Sequence, residues 1–116
     1  MSEINFKRMY NLINYNIPTS VTILSLSQNK LTSIPLSKIA NYNGLIDLYL
    51  CNNKFTTLPS FPDSIVTITV SNNPINCLPI INSKNIIGID ASNTNVTCLP
   101  INSQLFSQLS TFYWII

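Results

Sequence analysis

Four stretches of the sequence superimpose without a gap: VTILSLSQNKLTSIP (21–35), LIDLYLCNNKFTTLP (45–59), IVTITVSNNPINCLP (65–79) and IIGIDASNTNVTCLP (86–100). All follow one frame, LxxLxLxxNxLxxLP. Its apolar positions are Val21, Leu24, Leu26, Leu31 and Ile34; Leu45, Leu48, Leu50, Phe55 and Leu58; Ile65, Ile68, Val70, Ile75 and Leu78; then Ile86, Ile89, Ala91, Val96 and Leu99. Every one of the twenty is apolar and a proline closes each unit at the same offset, so the chain has to be read as a repeat before any segment is read alone. A unit this short cannot bury its own apolar face and is stable only when stacked on its neighbours.

The alternation at LxL predicts a short strand with two side chains pointing inward. Stacking the units sets these strands parallel, about 4.8 Å apart, and joins the apolar positions into one core. The polar position after each strand holds Asn29, Asn53, Asn73 and Thr94. A side-chain amide there can bond backbone groups that the turning chain leaves unpaired. A threonine hydroxyl offers fewer bonds than an amide, so the ladder is expected to loosen at Thr94. The units start at 21, 45, 65 and 86, giving lengths of 24, 20 and 21 residues. The return LPSFPDSI (58–65) is short and holds two prolines, which favour an extended path over a helix.

The frame resembles that of the leucine-rich-repeat family. IPTSV (17–21) and FPDSI (61–65) make two units similar to the short LPX-type repeats of bacterial secreted effectors, while IPLSKIANYNGLIDL (34–48) is similar to the common 24-residue repeat. The resemblance implies an α/β-type curved solenoid. Its short parallel β-sheet lies on the concave face, with extended, polyproline-like or short helical segments on the convex face.

The whole chain, 1–116, is expected to form one domain: an N-terminal cap at 1–17, four repeats at 18–100 and an incomplete fifth repeat at 101–116. In SEINFKRMYNLINY (2–15), Ser2 is a helix N-cap and Phe6, Met9, Tyr10 and Ile13 follow at helical spacing, which predicts a capping helix; a degenerate extra repeat is the alternative. At the other end, INSQLFSQLSTFYWII places Phe112 and Ile115 at the first two inward positions of a fifth strand. Either the chain is part of a longer one, or Trp114, Ile115 and Ile116 form an apolar edge that self-associates.

Chemistry is limited by what is missing from the composition. There is no histidine, which removes the usual general base and the commonest metal ligand. Of the four carboxylates, Asp47 and Asp90 face outward but sit two strands apart, about 10 Å, too far to cooperate. Gly44 and Gly88 are the only glycines, so there is no phosphate-binding loop. No catalytic residue, metal site or cofactor is expected, and the chain is read as a non-enzyme.

Cys77 and Cys98 occupy the same slot of adjacent units and should be stacked neighbours. A disulfide fits that spacing, but a reducing compartment favours two free thiols. Cys51 shares a column with Ser27, Ser71 and Ser92 and reads as a small turn residue. Asn95, Val96 and Thr97 form one glycosylation sequon, which matters only if the chain is secreted.

Charged residues make up 9% of the chain and the net charge is +2, so no basic stripe exists for nucleic acid. No apolar run reaches the length that spans a bilayer. MSEINFKRMY lacks an apolar signal core, which predicts a cytoplasmic location, the host cytoplasm in the case of an effector.

The outward strand positions are Ile23 and Ser25, Asp47 and Tyr49, Thr67 and Thr69, and Gly88 and Asp90, with Thr22, Ile46, Val66 and Ile87 flanking them. The expected function is protein binding through this concave face, with Tyr49 as the leading anchor. Two alternatives stand beside it: the substrate-recognition part of a secreted effector ubiquitin ligase, or a structural protein that assembles through its C-terminal edge.

Overall fold

The computed structural model describes residues 3–5, 20–32, 39, 42–98 and 111–113. Six three-residue strands, β1 (Glu3–Asn5), β2 (Ile23–Ser25), β3 (Asp47–Tyr49), β4 (Thr67–Thr69), β5 (Gly88–Asp90) and β6 (Thr111–Tyr113), form one sheet in chain order. Every neighbouring pair is parallel, and Ile4, Leu24, Leu48, Ile68, Ile89 and Phe112 share one register position. For β2 to β5, each strand with the described residues that follow it is thus one coil laid on the next.

Backbone bonds extend the ladder beyond the strands. Where each strand begins, one carbonyl of the preceding coil accepts two N–H groups: Thr22 from Ile46 and Asp47, Ile46 from Val66 and Thr67, and Val66 from Ile87 and Gly88. Past the strand, the N–H groups of Gln28, Asn52 and Asn72 reach forward to the carbonyls of Cys51, Ser71 and Ser92. These three residues and Asn93 all have φ between 53° and 62°, as the chain turns away from the sheet. Asparagine tolerates that left-handed conformation better than most residues, which accounts for its hold on three of the four positions.

The asparagine column sits inside this turn. Asn53 Oδ1 accepts from the N–H groups of Asn29 and Leu31, both at 3.0 Å, while its Nδ2 donates to Leu26, Leu50 and Cys51 carbonyls. Asn73 does the same one coil on, accepting from Phe55 and donating to Leu50, Val70 and Ser71. The Thr94 hydroxyl donates only to Ala91 in its own coil and accepts from Val96 at 3.5 Å, so among the described residues the side-chain bridge to the preceding coil stops there.

Every described frame position is buried except Leu58, which packs half-buried against the core. Full burial of each aliphatic side chain is worth about 1.5–3 kcal/mol, so the ladder of stacked leucines and isoleucines is the main force joining the coils. Where the units differ in length, other residues fill the interior: Ile39 and Tyr42 in the 24-residue unit, Phe61 in the 20-residue unit and Ile81 in the 21-residue unit. Two serines fasten the returns, Ser64 to the carbonyl of Leu45 and Ser83 to that of Ile65, both at 2.6 Å.

Two expectations are corrected. Glu3–Asn5 is a strand, not the start of a capping helix: the open edge of β2 presents backbone donors and acceptors that a helix, bonded within itself, could not satisfy. The fifth strand is centred on Phe112 rather than led by it, since Phe112 pairs with Ile89. Taking Phe112 as a first frame position would have made the preceding unit 26 residues long, more than any other. Phe6, Met9, Tyr10, Ile13, Ile34, Leu99, Trp114, Ile115 and Ile116 lie outside the described residues, and with them the expected self-association edge. Among the described residues there is no α-helix; ahead of β3, Tyr42 N–H bonds the Ile39 carbonyl and Leu45 N–H that of Tyr42.

Candidate functional site

Strand alternation puts Leu24, Leu48, Ile68 and Ile89 in the core, so the residues on either side of each must lie on the outer face of the sheet. The register sorts them into two columns. One holds Ile23, Asp47, Thr67 and Gly88; the other holds Ser25, Tyr49, Thr69 and Asp90. A third row, Thr22, Ile46, Val66 and Ile87, runs along the edge where the strands begin. All of the sequence-predicted face residues are therefore brought onto one surface.

Within that surface the polar groups are partly spoken for. Thr67 donates its hydroxyl proton to Asp47 Oδ1 across the strand pair. Asp90 Oδ1 accepts from both the N–H and the hydroxyl of Ser92, at 3.0 and 2.7 Å, and so holds the turn that follows β5. The second oxygen of each carboxylate makes no hydrogen bond among the described residues and can receive a donor from outside. Strand β4 separates the two carboxylates, which leaves them without the proximity that acid and base catalysis needs.

The apolar part of the surface is more exposed than the polar part. Tyr49 is 38% exposed, Ile46 42% and Ile87 47%, with Val66 half-buried between the two isoleucines. A tyrosine amid a row of aliphatic side chains combines rigid apolar area with one hydroxyl, the composition that protein interfaces favour at their centres. One exposed apolar residue escaped the sequence reading: Ile80, 69% exposed on a return segment, whose neighbour Ile81 is buried. Nothing in the variable spacer tells two adjacent isoleucines apart.

Among the described residues no three histidine, cysteine, aspartate or glutamate side chains gather into a metal-binding group, and no helix is long and apolar enough to cross a membrane. Cys51 Sγ lies 3.0 Å from Ser27 Oγ within the strand-exit column, as a small turn residue would.

No family model matches the chain. Over 66 residues, 53% of its length, it is 41% identical to human oligodendrocyte-myelin glycoprotein, and the match spans 15% of that protein. That relative is a leucine-rich-repeat protein, and the likeness agrees with the repeat frame and the parallel sheet.

Proposed function

We propose that the chain is a non-enzymatic leucine-rich-repeat solenoid that binds another protein through the outer, concave face of its sheet. The observation that carries this reading is the register: it gathers Ile23, Ser25, Asp47, Tyr49, Thr67, Thr69 and Asp90 from four coils onto one surface, flanked by the exposed Ile46 and Ile87. Tyr49 and the isoleucine row supply apolar contact. The free oxygens of Asp47 and Asp90 accept hydrogen bonds or pair with a basic side chain and set orientation.

The finer assignment, to the short LPX-type subclass with an effector role, rests on IPTSV (17–21) and the proline-rich return at 58–65. The comparisons do not support it, and protein binding does not depend on it.

Photo-crosslinking tests the proposal. A crosslinking amino acid is placed at Tyr49 or, as a control on a return segment, at the exposed Asn82. The expected result is a discrete protein product from position 49, absent from position 82 and lost when Ile46 and Ile87 are changed to Ser. Products that are the same from both positions, or that survive the double substitution, would remove the sheet face as the binding surface.

A further inference from the structure

Cys77 and Cys98 form a parallel bridge between adjacent coils, outside the named strands. The pairing is fixed by two backbone bonds, one on either side: Thr97 N–H to the Asn76 carbonyl at 3.0 Å and Leu78 N–H to the Cys98 carbonyl at 3.2 Å. Both side chains are exposed and unlinked in this structure. Paired residues of neighbouring parallel strands have Cα atoms about 4.8 Å apart, inside the 4.4–6.8 Å that a disulfide spans. Paired register positions also send their side chains to the same side, so the two sulfurs face one another across the coils. Cys51 belongs to a different column and is engaged with Ser27. Of the three cysteines, only this pair is placed to react with itself.

From this geometry we infer that Cys77 and Cys98 form a dithiol site that low-molecular-weight disulfides oxidise to an intramolecular bridge stapling the two coils. The hydrogen bond to Cys98, more than burial, raises the Cys77 thiol above its ordinary value; either sulfur can attack first, and one route begins at Cys98. The Cys98 thiolate attacks one sulfur of the small disulfide, whose S–S bond breaks and whose other half leaves as a thiolate that takes a proton. Cys77 then gives up its proton to water and attacks Cys98 Sγ of the mixed disulfide. The second small thiolate leaves and is protonated. The protein loses two electrons and two protons; the small disulfide gains both and becomes two thiols.

The bridge would close a loop of 22 residues, from 77 to 98. It fastens the coil that carries Asn73 to the one that carries Thr94, where the asparagine ladder stops bridging. The staple therefore reinforces a junction that, among the described residues, no asparagine side chain bridges.

The test treats the folded, reduced chain with oxidised glutathione, quenches it by alkylation, and maps the products by mass. The expected product is lighter by two hydrogen atoms, links 77 to 98, exceeds glutathione adducts at these positions by more than about tenfold, and forms equally in C51S. Its melting temperature rises by on the order of 10 °C over the reduced chain. In C77S and C98S, each a serine at an exposed slot that Ser33 and Thr57 fill in earlier units, the remaining thiol carries glutathione instead. Separate glutathione adducts on Cys77 and Cys98 of the wild type would overturn the inference. So would links that involve Cys51 in the same proportion as in the urea-unfolded chain.

Discussion

The Asn53 side chain makes five hydrogen bonds, and three of them cross to the preceding coil. Asn53→Ala leaves two buried N–H groups and a buried carbonyl without that partner, at about 1–3 kcal/mol each, so a loss of at least about 3 kcal/mol is expected in urea denaturation. Thr94→Asn runs the other way: an amide there can reach the preceding coil, and a gain of about 1 kcal/mol is expected from the same measurement. This column was legible because the frame is gapless around it, and the weakness at Thr94 was legible from side-chain chemistry alone. The serine fastenings were not. Ser64 precedes Ile65 by one residue and Ser83 precedes Ile86 by three, yet both bond the first carbonyl of the preceding coil. No fixed spacing marks them. Gly44 stands where Ser64 stands one coil later, its missing Cβ 4.0 Å from the Val21 carbonyl oxygen and its φ not positive. Gly44→Ser should therefore stabilise by about 1 kcal/mol, part from reduced freedom of the unfolded chain and part from a hydroxyl bond to Val21; a thermal melt checks it.

At the scale of the elements, the strands were predictable because the period of two survives in every unit, whereas the returns obey no period. Phe61, Ile81, Ile39 and Tyr42 are all buried, at different offsets from the next strand, since each spacer must fill a similar interior with a different number of residues. The strand at Glu3–Asn5 was hidden for another reason. The segment 2–15 carries a helical spacing, and only the open edge of β2 shows that backbone pairing outweighs it at 3–5. Tyr42 allows a test of the packing in the long unit. Burial raises its phenol above the ordinary value, so the fold holds the neutral form. That contribution is fully present below about pH 10, where the unfolded phenol is also neutral, and is lost as pH rises through the raised folded value. Urea midpoints followed from about pH 8 to about pH 11 should fall more steeply for the wild type than for Tyr42→Phe.

For the molecule as a whole, a sheet of six parallel strands runs in chain order, and β2 to β5 have one face buried and one face open. That the open face would hold Ile23, Ser25, Asp47, Tyr49, Thr67, Thr69 and Asp90 followed from alternation once the frame was known. Sequence could not show that Thr67 engages Asp47, or that Asp90 is committed in part to its own turn, because both depend on side-chain reach across or along the coils. On the proposed function, Asp47 and Asp90 would set orientation, and the exposed Ile46, Tyr49 and Ile87 would carry most of the affinity. The most direct test is a binding titration of the crosslinked partner against the wild type, Tyr49→Ala, and Ile80→Ser as a control on the return segment. The account predicts a loss of at least about tenfold for Tyr49→Ala, equal to about 1.4 kcal/mol, and less than about twofold for Ile80→Ser. An unchanged affinity for Tyr49→Ala together with a large loss for Ile80→Ser would place the binding surface on the returns and contradict it.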